Sequence, residues 1–114
     1  MNNDTFLQQL LFFVYCRKSS EQEDRQILSL PAQEKELLEL AKRENLRIVD
    51  LYKESRSAHT AGRPVFNDML RRIEKGEANA ILVWDESRIA RNSLDGGKVI
   101  YMMDLEQIKA IIKP

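Results

Sequence analysis

Tyr15, Arg17 and Ser19 stand two residues apart, and in extended chain alternate residues point to one side. A phenol, a guanidinium and a hydroxyl therefore share a face. Farther along, Arg88 and Arg91 are three apart, a spacing that one helical turn brings to one side. Glu54, Ser55, Arg56 and Arg63 mark out a third polar stretch. Guanidinium groups fork onto phosphate oxygens, and several of them in one crevice repel each other unless a polyanion is there. A serine hydroxyl is a weak nucleophile until its proton is taken or nearby cations favour the alkoxide. Donors aimed at charge developing in a transition state contribute about 3–4 kcal/mol each. These residue types point to a phosphate ligand.

The elements that must position them can be read from the same sequence. Leu10 to Arg17 is apolar and aromatic without alternation, as expected of a central strand covered on both faces. Ser19 to Gln26 is a polar loop. Ser29 before Leu30 and Pro31 is an N-cap signal for a helix to about Glu44. Leu30, Leu37, Leu40 and Ala41 form its buried stripe, and Asn45 is a left-handed stop. Leu46 to Lys53 is a second strand, and Glu54 to Arg63 a polar loop. Pro64 opens a helix in which Phe66, Met69, Leu70 and Ile73 recur at helical spacing before Gly76. Ala78 to Trp84 is a third, buried strand. Ser93 caps a helix through Leu105, and Ile108 to Ile112 is a fourth strand. This order predicts an α/β fold, a mainly parallel sheet of four to five strands with helices on both faces. Ligands of such sheets lie beyond the carboxyl ends of the strands. All three polar stretches fall there.

Composition narrows the class. The 114 residues suit a single domain spanning 1–114. The 43% hydrophobic and 32% charged residues argue against disorder. Net charge is zero, so affinity for phosphates must come from a local arginine cluster. Cys16 and His59 are the only cysteine and histidine. That excludes an internal disulfide, leaves too few ligands for zinc, and predicts a reduced, cytoplasmic setting with no metal and no cofactor. The apolar stretch from Phe6 to Cys16 is too short to span a bilayer and lacks signal-peptide flanks. No membrane partner is expected.

Tyr15-Cys16-Arg17-Lys18-Ser19 resembles the Y-x-R-x-S strand of serine recombinases, the resolvase/invertase superfamily. Trp84-Asp85-Glu86-Ser87-Arg88-Ile89-Ala90-Arg91-Asn92 is similar to that family's D-R-L-x-R loop. Gly62-Arg63-Pro64 with Phe66, and Asp95-Gly96-Gly97, are similar to features of its large members. The resemblance runs from about Phe12 to the end. It implies site-specific recombination of double-stranded DNA, in which strands are cut and rejoined through a covalent 5′-phosphoserine, without metal or ATP.

In that reading Ser19 is the nucleophile and Arg17, Arg88 and Arg91 bind the scissile phosphate. Arg63 has a similar task, Glu54 matches an acidic residue ending strand two, and Tyr15 shapes the site. Gln22 lies near a family glutamine. The resemblance also implies continuation into a long dimerisation helix and DNA-binding domains. The chain is thus expected to be a piece of a longer protein that forms homodimers and tetramers on DNA, and by itself to bind DNA weakly. Ser87 departs from the pattern, since the family has aspartate before its first loop arginine. Asp85 or Glu86 are the substitutes at hand.

Blander readings apply elsewhere. Arg25, Arg43, Arg47, Arg71 and Arg72 read as solvated charges, Cys16 and Trp84 as core, and His59 as a loop residue. Val99, Tyr101, Met102 and Met103 read as helix packing, with any exposed part available for subunit contact. The Ser87 departure favours one alternative, a regulatory relative that keeps the fold and binds DNA or a partner. A phospho-receiver domain would need clustered acids after strand one and aspartate ending strand three, where Arg17, Ser19 and Trp84 stand. A C-x5-R phosphatase would need arginine at Gln22.

Overall fold

The apolar run after Leu10 forms the middle of a parallel sheet in the computed structural model, which describes residues 4–19, 27–56 and 62–114. Strand β1 (Leu11–Arg17) lies between β2 (Arg47–Glu54) and β3 (Ala80–Leu82), and β4 (Ala110–Ile112) completes the order β2-β1-β3-β4. All three pairings are parallel. Phe12 to Arg17 are buried without a break, because both faces of β1 are covered. On one face Phe13 and Tyr15 pack with Phe66, Met69, Leu70 and Ile73 of α3 (Pro64–Glu74) and with Val99 and Met102 of α4 (Ser93–Asp104). On the other, Phe12, Val14 and Cys16 meet Leu37, Leu40 and Ala41 of α2 (Leu30–Glu44).

Local chemistry sets the ends of these elements. Ser29 Oγ accepts from the Ala32 amide at 3.2 Å, and Asn45 stops α2 in the left-handed region at φ 57°. Gly76, at φ 83°, follows α3. The structure departs from expectation in four places. A short helix, α1 (Asp4–Gln9), precedes β1, and Leu7 packs on the α2 side. The third strand is shorter than Ala78 to Trp84. Asn79 uses its own side chain to accept from Leu11 N at 2.8 Å, replacing a backbone ladder bond, and Trp84 is half-buried as the chain turns away. The fourth strand pairs only from Ala110. Asn92, not Ser93, caps α4, because its side chain accepts from Asp95 N at 2.8 Å.

The chain moves from β1 outward to β2, then crosses back to β3 on the other side of β1. That reversal opens a crevice beyond the carboxyl ends of β1 and β3. Among the described residues no helix is long and apolar enough to cross a membrane.

Candidate active site

Arg17 ends β1 and is fully buried. Its Nε donates to Arg88 O at 3.2 Å, its Nη1 to Arg56 O at 2.8 Å and its Nη2 to Ser87 O at 2.7 Å. Arg88, equally buried, returns the contact by donating from Nη1 to Arg17 O at 2.7 Å. Burying a guanidinium is costly where its donors are not met. Here backbone carbonyls meet them, so two arginines fasten the loops after β2 and β3 to the end of β1. Gln33 of α2 fixes that end from behind: its Oε1 accepts from Arg17 N at 3.3 Å and its Nε2 donates to Arg17 O at 3.0 Å.

Glu54 ends β2 directly opposite Arg17 in the register. Its Oε1 accepts from the Tyr15 hydroxyl at 2.6 Å and from Phe66 N at 3.0 Å, and its Oε2 from Val65 N at 2.9 Å. Arg63, the residue at the N-cap of α3, makes no side-chain cap bond. Glu54 therefore caps that helix from a neighbouring strand, where a carboxylate also suits the positive helix end. The Arg63 side chain turns inward. It donates to the Tyr15 hydroxyl at 3.1 Å, to Arg88 O at 3.3 Å and to Ile89 O, and pairs with Asp95 at 3.3 Å. Its guanidinium also lies 3.8 Å from the centre of the Phe66 ring. Burial pushes the Tyr15 phenol well above its ordinary value; Arg63 opposes this, and the hydrogen bond to Glu54 reinforces it. Tyr15 therefore stays protonated, donating to Glu54 and accepting from Arg63.

After β3, Asp85 caps a single 3-10 turn, Glu86–Arg88. Asp85 Oδ1 accepts from Ser87 N at 2.8 Å and from the Ser87 hydroxyl. Ser87 Oγ in turn accepts from Arg88 Nε at 3.2 Å and Nη2 at 2.9 Å. Glu86 points the other way, onto Lys113 at 2.5 Å, and that hydrogen bond holds its carboxyl below the usual range.

The structure thus gathers Tyr15, Arg17, Glu54, Arg63 and Arg88 into one hydrogen-bonded network. Ser19 stands beside it, partly exposed, lining an open crevice of about 430 Å³ with Lys18, Leu30 and Ser55. Arg91 lies beyond the turn and is partly exposed, whereas Arg88 is wholly enclosed. Gln22 and His59 fall outside the described residues. Sequence reasoning missed Gln33 and the pairing of Arg63 with Asp95. The signal for Gln33 was present, a polar residue in the same helical stripe as Leu37, Leu40 and Ala41. Cys16 is a buried core thiol, pushed up to about 12 by its burial. Tyr101 and Met103 are exposed on α4, while Val99 and Met102 pack inward.

Among the described residues, three fully buried guanidiniums (Arg17, Arg63, Arg88) face two buried carboxylates, Glu54 and Asp95. Asp85, partly exposed and 3.6 Å from Arg88 Nε, adds a third carboxylate, so the three guanidiniums are balanced in charge, and what they offer an anion is a cluster of fixed donors. No group of three or more His, Cys, Asp or Glu side chains suited to a metal ion occurs among the described residues.

Comparison with known proteins agrees with this fold. The family model described as "Resolvase, N terminal domain" matches residues 12–112. No curated protein matches the chain. Among solved structures, the C-terminal catalytic domain of ISC1926 TnpA, an IS607-like serine recombinase, superposes with a TM-score of 0.73 at 18% identity, covering 91% of this chain and 70% of that one. The N-terminal catalytic domain of TP901-1 integrase gives 0.72 at 19%, covering 90% and 75%. A resolvase family site-specific recombinase from Streptococcus pneumoniae gives 0.66 at 24%, covering 92% and 72%.

Proposed function

The chain belongs to the resolvase family by its match to that family's N-terminal domain, and from that premise we propose that it is the catalytic domain of a DNA recombinase with Ser19 as nucleophile. The observation that carries this reading is the position of Ser19. It lines the open crevice two residues beyond Arg17, next to a buried network that holds three guanidiniums. Ser19 Oγ attacks the scissile phosphorus, its proton is lost, and the departing deoxyribose oxygen takes a proton to become a 3′-hydroxyl. The 5′-phosphate remains on serine. Because the phosphoserine ester keeps the energy of the phosphodiester, the reverse step joins the strand to a new end without ATP.

Arg17, Arg63 and Arg88 now direct their donors at loop carbonyls and at Tyr15 and Asp95. A phosphodiester brings charged oxygens, which are stronger acceptors than neutral carbonyls. Docking of DNA in the crevice exchanges some of these carbonyls for phosphate oxygens and shifts the loop from Asp85 to Arg91. Arg91, at the outer end of that loop, joins the phosphate as it moves. Tyr15 and Glu54 hold the inner side of the site. The partner is double-stranded DNA, and strand exchange requires a homodimer pairing into a tetramer.

The test is to incubate the intact protein with DNA from both sides of its own gene and to digest the product for mass spectrometry. A nucleotide adduct on the Ser19 peptide, absent from Ser19→Ala, is expected. An adduct that persists in Ser19→Ala overturns the assignment. No adduct at all under conditions of tetramer assembly favours the regulatory relative that Ser87 suggests.

A further inference from the structure

Resting on the strand-cleavage reading, we propose that Asp85 is a positioning residue: its carboxylate, acting through the Ser87 hydroxyl, holds the Arg88 guanidinium in place for the phosphate. A hydroxyl has one proton and two lone pairs. Arg88 can only donate and the Asp85 carboxylate can only accept, so the polarity of the bridge is fixed. The Ser87 proton goes to Asp85 Oδ1, and both lone pairs turn to Arg88 Nε and Nη2, at 3.2 and 2.9 Å. Asp85 Oδ1 is also 3.6 Å from Arg88 Nε, so the charge is felt directly as well as through the bridge. The Nε–Nη2 edge of Arg88 is thus anchored to a negative charge. The Nη1 that now donates to Arg17 O can change its acceptor for a phosphate oxygen without the group swinging away.

Two neighbouring acids were available for this task, and the backbone separates them. Asp85 has the extended conformation of the turn's N-cap, which aims its side chain back over Ser87. Glu86, one residue on, is exposed and pairs with Lys113. A serine at 87 with a carboxylate at 85 therefore does what a carboxylate at 87 would do alone.

Asp85 also caps the turn through Ser87 N, so a variant must separate cap from charge. Asp85→Asn keeps an oxygen for the cap and removes the charge. Ser87→Ala keeps the charge and breaks the bridge. Asp85→Asn with Ser87→Asp moves the charge next to Arg88. Two readouts are needed: solvent exchange of the Arg88 Nε–H by NMR, and the single-turnover rate of Ser19 adduct formation against DNA concentration. Asp85→Asn and Ser87→Ala should each speed exchange and slow adduct formation by about ten-fold, the scale of one lost charge-linked hydrogen bond. Half-saturating DNA concentration should stay within about two-fold, because only one edge of one arginine is loosened. The double variant should recover both rates, and Glu86→Gln should match the parent. Unchanged Arg88 exchange in Asp85→Asn, or no recovery in the double variant, overturns the proposal. A parent protein that forms no adduct removes the cleavage reading instead, and the exchange data then decide the positioning of Arg88 by themselves.

Discussion

Glu54→Gln probes the joint between sheet and helix on which the site depends. The carboxylate is 3% exposed and receives three donors: the Tyr15 hydroxyl at 2.6 Å, Phe66 N at 3.0 Å and Val65 N at 2.9 Å. In glutamine one oxygen becomes an NH2 group, which can only donate. The less harmful orientation keeps the oxygen at Tyr15 and Phe66 and sets the NH2 against Val65 N, so one hydrogen bond to a charged acceptor is lost. Such a bond is worth about 1.5–3 kcal/mol, and the charge at the start of α3 about 0.3–1 kcal/mol more. Relief of the carboxylate's own burial returns part of this, which leaves a net loss of about 2 kcal/mol. For a domain of this size that lowers Tm by about 8 °C. Thermal and urea melts followed by circular dichroism at pH 7 measure it. Exchange of the Val65 amide should accelerate more than that of the buried β1 amides, since the loss begins at the helix start. A Tm within about 2 °C of the parent, with an unchanged urea midpoint, would show that Glu54 is not the cap of α3.

Arg17→Ala removes the donors that Arg56 O and Ser87 O now receive; a loss of about 3–5 kcal/mol in urea denaturation is expected. Arg17→Lys should recover little of it, because one ammonium cannot span both loops, and full recovery would refute the clamp. Burial holds the Cys16 thiol at about 12, against 9.0 in the unfolded chain. Between those values the unfolded chain gives up a proton that the folded one keeps, so stability falls as pH rises, by about 1.4 kcal/mol per unit. Tyr15, also raised by burial, steepens the fall above its unfolded value of 10.0. Urea midpoints between pH 8 and 11 read this slope, and alkylation of Cys16 in the native protein at the rate of a free thiol would refute it.

The sheet and its helices were legible because their signals are local. Phe66, Met69, Leu70 and Ile73 announce a buried helix face by spacing alone, and all four are buried. Ser29 and Asn45 close α2 with chemistry contained in a few residues. The placement of Tyr15, Arg17, Glu54 and Arg88 near one another followed from a topological rule applied to strand ends. That rule gives the neighbourhood of a side chain but not its partner.

The partners were not legible, for a physical reason. An arginine in isolation reads as exposed, since burying it without acceptors costs several kcal/mol. Arg17, Arg63 and Arg88 are nonetheless 0–1% exposed. Beside the side chains of Tyr15, Ser87 and Asp95, their acceptors are backbone carbonyls of Arg17, Arg56, Ser87, Arg88 and Ile89. Every residue carries a carbonyl, so sequence cannot mark which ones will serve; only the path of the loops decides. The same holds for Asp85 and Glu86, two acids with the same chemistry at adjacent positions. One faces Arg88 through Ser87 and the other faces Lys113, and what sorts them is the backbone of a single 3-10 turn. A departure from a family's pattern at one position is therefore not by itself a loss of the charge that stands there. The charge that the pattern calls for can be supplied by a neighbour that the turn has already aimed at the same atom.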